Sequence, residues 1–274
     1  MWMSATGRLW RWSAPTEREV SMRKSSDKRK KKRVIVWAAV AAVFLVLVIG
    51  CGVYLGDYYH GNMVAIDGFV TENPVETQVL SEDATVYRPE GGKTPETGLI
   101  FYPGGKVEAV AYEPLLKALA SEGMLCVLVE MPFHLAVFDR NAAEGIPEQF
   151  TGVTKWYIDG HSLGGAMAAS YLAEHAADYA GLILLGSYST TDLSETELSV
   201  LSVYGSEDRV LNREKYAESK GNLPEDFTEV VLEGGCHAYF GMYGAQDGDG
   251  TPTISNEEQI AATVAAVKEF LEEE

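Results

Sequence analysis

Cysteine is scarce in this sequence: the 274 residues contain three, Cys51, Cys126 and Cys236. Three thiols at these spacings form neither a disulfide framework nor the ligand pattern of a zinc site. Cys126 lies in the apolar stretch 124–132 and is predicted to be an ordinary core residue. The fold must therefore be stabilised by its hydrophobic core, for which a 46% apolar composition is sufficient.

Positive charge is scarce beyond the N-terminal segment. Residues 1–33 hold 11 Lys and Arg against 3 acidic residues, whereas residues 34–274 hold 11 against 37. The acidic part has no basic patch that could bind phosphates, which excludes nucleic acid as a partner. Two parts of such different charge are expected to lie in different environments.

Charge is absent altogether from residues 34–56, VIVWAAVAAVFLVLVIGCGVYLG. At about 1.5 Å per residue, a helix of this length spans a hydrocarbon core of about 30 Å. The segment also lacks the polar stripe of a soluble helix, so it is predicted to be a transmembrane helix. The basic run 28–33 favours the cytoplasmic side, which places residues 1–33 inside the cell and the C-terminal domain outside.

Two alternatives to a single-pass anchor remain open. A shorter chain that starts at Met22 would resemble a signal peptide, with a charged start and an apolar core. The sequence VIGC, which ends at Cys51, resembles the cleavage box of a bacterial lipoprotein. Either route leaves the C-terminal domain on the outer face of a membrane.

Residues 57–82 show little pattern and are predicted to connect the membrane helix to a domain over residues 83–274. Within that domain, short apolar runs alternate with helical segments. Strands are predicted at 84–89, 98–103, 124–132, 155–160, 181–188, 198–205 and 227–235, and helices at 108–123, 134–150, 163–176, 212–220 and from Ser255 onward. This alternation predicts an α/β fold, with a mostly parallel sheet covered by helices on both faces. Functional sites of such sheets lie beyond the carboxyl ends of the strands.

A Gly-x-Ser-x-Gly pentapeptide, Gly160 to Gly164, lies between a predicted strand and a predicted helix. In this context the serine occupies a sharp turn that exposes its hydroxyl, and the glycines avoid collisions across the turn. The following helix directs its free N–H groups at the place where negative charge develops. Ser162 is therefore the candidate nucleophile. The alternative is a Ser-Gly turn that only connects two elements.

A serine nucleophile needs a base, and His237 is the best placed of the five histidines. It follows the last predicted strand, in the glycine-containing loop EGGCHAYFG. A third residue should orient this histidine, and both Glu207 and Asp208 follow the strand 198–205. These residues predict a Ser-His-acid triad with two candidates for the acid.

An oxyanion hole requires two backbone N–H groups. Leu163, which follows the candidate nucleophile, is expected to supply the first. The second is expected from the loop YPGGK, where Gly104 and Gly105 permit a close backbone approach. Gly105 is the preferred donor and Gly104 the alternative.

Together these segments resemble the α/β-hydrolase superfamily over roughly residues 84–274. The stretches FYPGGKVEAVAYEPL, GHSLGGAMAA, YGSEDRV and GGCHAYFGMYG are similar to a bacterial group, the α/β-hydrolase fold-5 family, whose members are often membrane-anchored hydrolases. The resemblance implies the α/β-hydrolase fold. Few residues separate the predicted strands 181–188 and 198–205, too few for a helical lid, so the fold is expected to be near-minimal and without a large cap. The resemblance also implies the triad Ser162, Asp208 and His237, because the Gly-x-x-Asp turn resembles the acid turn of the family. Many α/β-hydrolases have His-Gly where this chain has Pro103-Gly104, and no substrate is implied.

The leading hypothesis is a membrane-tethered, extracytoplasmic serine hydrolase of carboxylesterase type that acts on a small acyl substrate. No cofactor or metal is expected for this chemistry. Hydrolysis of a lactone, thioester or amide, or acyl transfer, would use the same triad. An inactive scaffold that only binds a ligand is the alternative outside enzymes.

Overall fold

The computed structural model describes residues 14–92 and 94–273. The chain forms two compact units, of which the first ends at Tyr54 and the second comprises Leu55–Glu274. The first contains nearly all of helix α1 (Glu17–Gly56). Within α1, the segment Lys30–Gly56 is long and apolar enough to cross a membrane, which makes it a candidate membrane span or signal sequence. Residues 1–13 of the predicted cytoplasmic segment lie outside the described residues.

The second unit is built on an eight-stranded sheet. Its strands are β1 (Val75–Ser81), β2 (Ala84–Pro89), β3 (Thr97–Tyr102), β4 (Leu125–Val129), β5 (Lys155–His161), β6 (Gly181–Leu185), β7 (Ser199–Gly205) and β8 (Thr228–Leu232). The spatial order is β1-β2-β4-β3-β5-β6-β7-β8. Strands β1 and β2 are antiparallel to their neighbours, and all other pairs are parallel. The predicted mostly parallel sheet is confirmed.

Five α-helices follow α1 in the described residues, and all but the first of them coincide with helical segments predicted from the sequence. They are α2 (Met63–Gly68), α3 (Glu113–Ser121), α4 (Leu163–His175), α5 (Arg213–Ser219) and α6 (Asn256–Glu273). Leu99 and Phe101 of β3 face one core with α3 and α6, whereas Ile100 faces the other core with α4. The two faces of the sheet are therefore both covered, as predicted.

A capping box formed by Ser255 and Glu258 begins α6. The Ser255 N–H donates to Oε2 of Glu258 at 2.7 Å, and the Glu258 N–H donates to Oγ of Ser255 at 3.1 Å. These two bonds satisfy donors that the first turn of a helix leaves free. They fix the beginning of the helix that packs behind the His237 loop.

Residues 57–82, predicted as a weakly patterned connector, contain α2 and β1. Strand β1 is an edge strand with mostly exposed residues, so it lacks the apolar run that identifies the inner strands. The α2 helix has only 6 residues, which is too short for a visible helical period.

The prediction of a helix over residues 134–150 is wrong. The structure has three short 3-10 turns here, Pro132–His134, Ala136–Phe138 and Pro147–Gln149. Phe133 and His134 both adopt a positive φ of 55°, and Gly145 has a φ of 76°. Left-handed residues of this kind interrupt the hydrogen bonds of an α-helix, and Pro147 also removes a donor.

Candidate active site

Ser162 occupies the turn between β5 and α4, and its backbone is strained. Its φ of 52° and ψ of −120° are rarely adopted by residues other than glycine. The turn is held by two hydrogen bonds: the Ser162 N–H donates to the Leu185 carbonyl at 2.9 Å, and the Ser187 hydroxyl donates to the Ser162 carbonyl at 2.6 Å. The surrounding structure thus maintains the sharp strand-to-helix bend that the sequence motif predicts.

The glycines of the motif let three backbone segments approach one another at this turn. A Cβ at Gly160 would lie 2.6 Å from the nitrogen of Gly165. A Cβ at Gly164 would collide with the carbonyl oxygens of Tyr102 and Pro103, at the carboxyl end of β3. The first turn of α4 therefore packs directly on the backbone that leads into Gly104 and Gly105.

This packing brings together the two residues predicted to form an oxyanion hole. A Cβ at Gly105 would lie 2.9 Å from Cδ2 of Leu163. Within residues 14–92 and 94–273, the N–H groups of Leu163 and Gly105 make no hydrogen bond. The Gly104 N–H instead donates to the hydroxyl of Tyr112 at 3.1 Å. Of the two glycines, only Gly105 therefore has an N–H available to a ligand.

His237 and Asp208 form a buried hydrogen-bonded pair. Nδ1 of His237 lies 2.8 Å from Oδ2 of Asp208, and the two side chains are 2% and 0% exposed. The other carboxylate oxygen of Asp208 accepts the N–H groups of Val210 at 2.9 Å and Leu211 at 2.8 Å. Both oxygens of the carboxylate are thus satisfied, which offsets the cost of burying it.

Glu207, the alternative acid, points elsewhere. Its side chain is 36% exposed and lies 4.0 Å from the guanidinium of Arg209. The structure therefore brings Asp208, and not Glu207, to the candidate base.

The histidine and the serine each lie next to the carboxyl end of β6. Gly186 follows Leu185, whose carbonyl holds the Ser162 N–H, and it has a φ of 52°. A Cβ at Gly186 would lie 3.0 Å from Nδ1 of His237 and 3.2 Å from Oδ2 of Asp208. Nε2 of His237 is buried and has no hydrogen-bond partner in the described chain, Ser162 included. Hydrogen bonds of active sites are often long in the absence of a substrate.

Two residues that sequence reasoning missed hold the His237 loop. The side-chain amide of Gln259 in α6 bonds Cys236 twice, accepting its N–H at 2.9 Å and donating to its carbonyl at 2.8 Å. The carboxylate of Asp249 accepts the Ala238 N–H at 2.9 Å and the Arg209 N–H at 3.3 Å. For Gln259, the sequence offers one indication of this role, which is its position on the apolar side of α6. For Asp249 the sequence offers no sign.

Two further buried residues, His161 and Tyr112, connect the surroundings of His237 to Gly104. Neither was a predicted site residue. The hydroxyl of Tyr112 is 2.8 Å from Nδ1 of His161, and the rings of His161 and His237 are 4.5 Å apart. Burial lowers the pKa of His161 well below its usual value, and the neighbouring His237 lowers it further. His161 is therefore neutral at physiological pH.

A strained serine on a strand-to-helix turn and a buried Asp-His pair, at one edge of this sheet, define an α/β-hydrolase architecture. Among the described residues, no group of three or more His, Cys, Asp or Glu is arranged to hold a metal ion.

A model of the alpha/beta hydrolase family matches residues 98–261, and the chain belongs to this family. The matched range contains Ser162, Asp208 and His237, and it confirms the resemblance inferred from the motifs. No curated protein shows a significant sequence match to the chain.

Proposed function

We propose that the protein is a membrane-tethered serine hydrolase of carboxylesterase type. The observation that carries this proposal is the buried 2.8 Å hydrogen bond between Asp208 and His237, next to a serine in a strained turn. A serine hydroxyl becomes a useful nucleophile only when an oriented base can take its proton. A buried Asp-His pair supplies that orientation.

The chemistry follows from the roles of these groups. Oγ of Ser162 attacks the acyl carbon, and neutral His237 takes the serine proton on Nε2. Asp208 holds the proton of the imidazole on Nδ1 and stabilises the imidazolium that forms. His237 then protonates the leaving alcohol, and the same nitrogen activates the water that cleaves the acyl-enzyme.

The negative oxygen of the tetrahedral intermediate needs donors that are in place before the reaction begins. The N–H groups of Leu163 and Gly105 are the candidates, because both are without partners in the described chain and their residues lie against each other. The amide N–H of Gly104 is excluded from this role by its bond to Tyr112.

The proposed location is the outer face of a cell membrane, with α1 as a single-pass anchor and the N-terminus in the cytoplasm. The uncharged apolar residues 34–56 and the basic run 28–33 that precedes them support this orientation. A lipid anchor at Cys51 is the alternative, and it places the second unit on the same side of the membrane.

A fluorophosphonate probe tests the proposed chemistry, since it labels a serine only when a base activates it. The full-length protein in detergent should be labelled, and Ser162→Ala should abolish both labelling and hydrolysis of a nitrophenyl ester. Ser194→Ala is a matched control, because Ser194 lies in the loop after β6 and, within residues 14–92 and 94–273, its hydrogen bonds go to Asp192 alone. Label that persists in Ser162→Ala would disprove the assignment. A folded wild-type protein that takes no label would instead favour an inactive binding scaffold.

A further inference from the structure

Tyr112 and His161 are buried polar residues for which the proposed triad has no use. Tyr112 is completely buried and His161 is 1% exposed. Tyr112 precedes α3, whereas His161 is the last residue of β5, and 49 positions of sequence separate them. Their contact is therefore a product of the fold and not of local sequence.

The Tyr112 oxygen joins a backbone amide to the ring of His161. The Gly104 N–H donates to this oxygen at 3.1 Å, because a backbone amide has no acceptor on its nitrogen. Nδ1 of His161 lies 2.8 Å from the same oxygen, and which of these two groups donates depends on the tautomer of His161.

The resulting chain of bonds, Gly104 to Tyr112 to His161, joins two points next to the proposed chemistry. Gly104 directly precedes Gly105, the candidate oxyanion donor, and His161 directly precedes Ser162. A Cβ at Gly104 would lie 2.6 Å from both the Tyr112 oxygen and Nδ1 of His161, so this junction has no free space. Removal of the Tyr112 hydroxyl is therefore expected to shift the backbone at Gly104 and at His161.

We propose that Tyr112 and His161 are positioning residues that fix the Gly105 N–H relative to Ser162. The inference rests on the proposed function. It assigns the tyrosine hydroxyl to the geometry of the oxyanion hole and not to contact with the substrate. The pair holds the end of β3 to the end of β5 beyond the last residues that the sheet itself pairs, Tyr102 and Gly160.

Tyr112→Phe removes the hydroxyl and keeps the ring. Loss of alignment at a reacting centre costs on the order of 10- to 100-fold in kcat, with little change in KM. The same variant should react more slowly with the fluorophosphonate and should bind a boronate, which mimics the tetrahedral state, more weakly by a similar factor.

Tyr102→Phe is the matched control for a merely structural loss. Tyr102 is also completely buried, and its hydroxyl likewise accepts a backbone N–H, from Ala143 at 2.9 Å, and donates to the Arg140 carbonyl at 2.9 Å. Its side chain packs on the opposite face of the sheet from Tyr112. Tyr102→Phe should therefore lower stability by a similar amount and leave kcat and boronate affinity unchanged.

Substitution of His161 gives a second, independent comparison. Asn can place an acceptor oxygen near the position of Nδ1, whereas Leu cannot. His161→Asn should retain most of the activity, and His161→Leu should resemble Tyr112→Phe. This comparison decides the question if Tyr112→Phe does not fold.

The two proposals fail in different ways. Wild-type protein that takes no label at Ser162 would contradict the proposed function itself. Labelled, active wild type combined with an unchanged kcat in Tyr112→Phe, or with equal activity in the Asn and Leu variants, would overturn only the positioning role. A rise in KM alone would overturn it too, because it would indicate substrate contact.

Discussion

Asp208→Asn separates the orienting role of the proposed acid from its structural role. In the wild type, Oδ1 of Asp208 accepts two backbone N–H groups and Oδ2 accepts Nδ1–H of His237. Asn can keep its oxygen on the Val210 and Leu211 N–H groups, so the turn after β7 should be retained. Its NH₂ group then replaces Oδ2, and two donors would face each other at 2.8 Å. His237 can relieve this conflict only by moving its proton to Nε2.

That tautomer cannot take the serine proton, so turnover should fall steeply. The same substitution in a serine protease costs on the order of 10⁴ in kcat. At about 1.4 kcal/mol per tenfold change in rate, this corresponds to about 5 kcal/mol of transition-state stabilisation. Stability should change much less, because the variant loses a charge-assisted hydrogen bond and also loses a buried charge that is costly to desolvate.

Steady-state hydrolysis of a nitrophenyl ester and thermal unfolding of the same samples measure the two effects. Glu207→Gln is the control, since Glu207 is the adjacent acid and its distant, exposed ion pair with Arg209 is worth little. A larger loss of turnover in Glu207→Gln than in Asp208→Asn would refute the assignment. Normal turnover in Asp208→Asn would refute the tautomer argument as well.

Three further predictions concern pH, topology and substrate size. Burial raises the pKa of Asp159 well above its usual value, and its carboxylate has no hydrogen-bond partner in the described chain. The folded state therefore binds an extra proton, so stability relative to Asp159→Asn should fall as the pH rises above about 4, by at most about 1.4 kcal/mol per unit. Urea unfolding that shows the same difference at pH 4 and pH 8 would contradict this. Protease added to cells without an outer wall should remove residues 57–274 and spare the N-terminus, whereas a palmitate label at Cys51 would indicate the lipoprotein route. The 186–198 loop between β6 and β7 contains no helix, so we expect a preference for acyl chains of about two to six carbons. Faster turnover of nitrophenyl esters whose acyl chains have about twelve or more carbons would indicate a deep acyl pocket and contradict this preference.

The sheet and the serine turn could be predicted because their signals are local. Short apolar runs mark the inner strands β3 to β7, which have five to seven residues each, and the glycines around Ser162 mark a turn in which the flanking positions have no room for a side chain. These features depend on neighbouring residues, so a single sequence contains their signals. The preference for Asp208 over Glu207 came instead from the resemblance of the Gly205-to-Asp208 turn to the acid turn of the α/β-hydrolase family, and its role as the acid stays a prediction.

The supporting contacts could not be predicted because they join residues far apart in the chain. Gln259 is 23 positions from Cys236, and Tyr112 is 49 from His161. A buried tyrosine at position 112 is also an ordinary core residue by sequence. Only the packing of α3 and α6 against the sheet gives these side chains their partners.

The segment that follows α1 is hydrogen-bonded to the loop after β3. Tyr59 pairs with Val107: its N–H donates to the Lys106 carbonyl at 2.7 Å, and its carbonyl accepts the Glu108 N–H at 3.0 Å. Oε2 of Glu108 also accepts the Gly61 N–H at 2.8 Å. The chain immediately after α1 is thus hydrogen-bonded to the loop that carries Gly105, the proposed oxyanion donor. A boundary at residue 83 would remove these bonds together with β1. We therefore propose that the hydrolase unit includes residues 57–82, and that the chain leaving α1 forms part of the frame of the candidate active site.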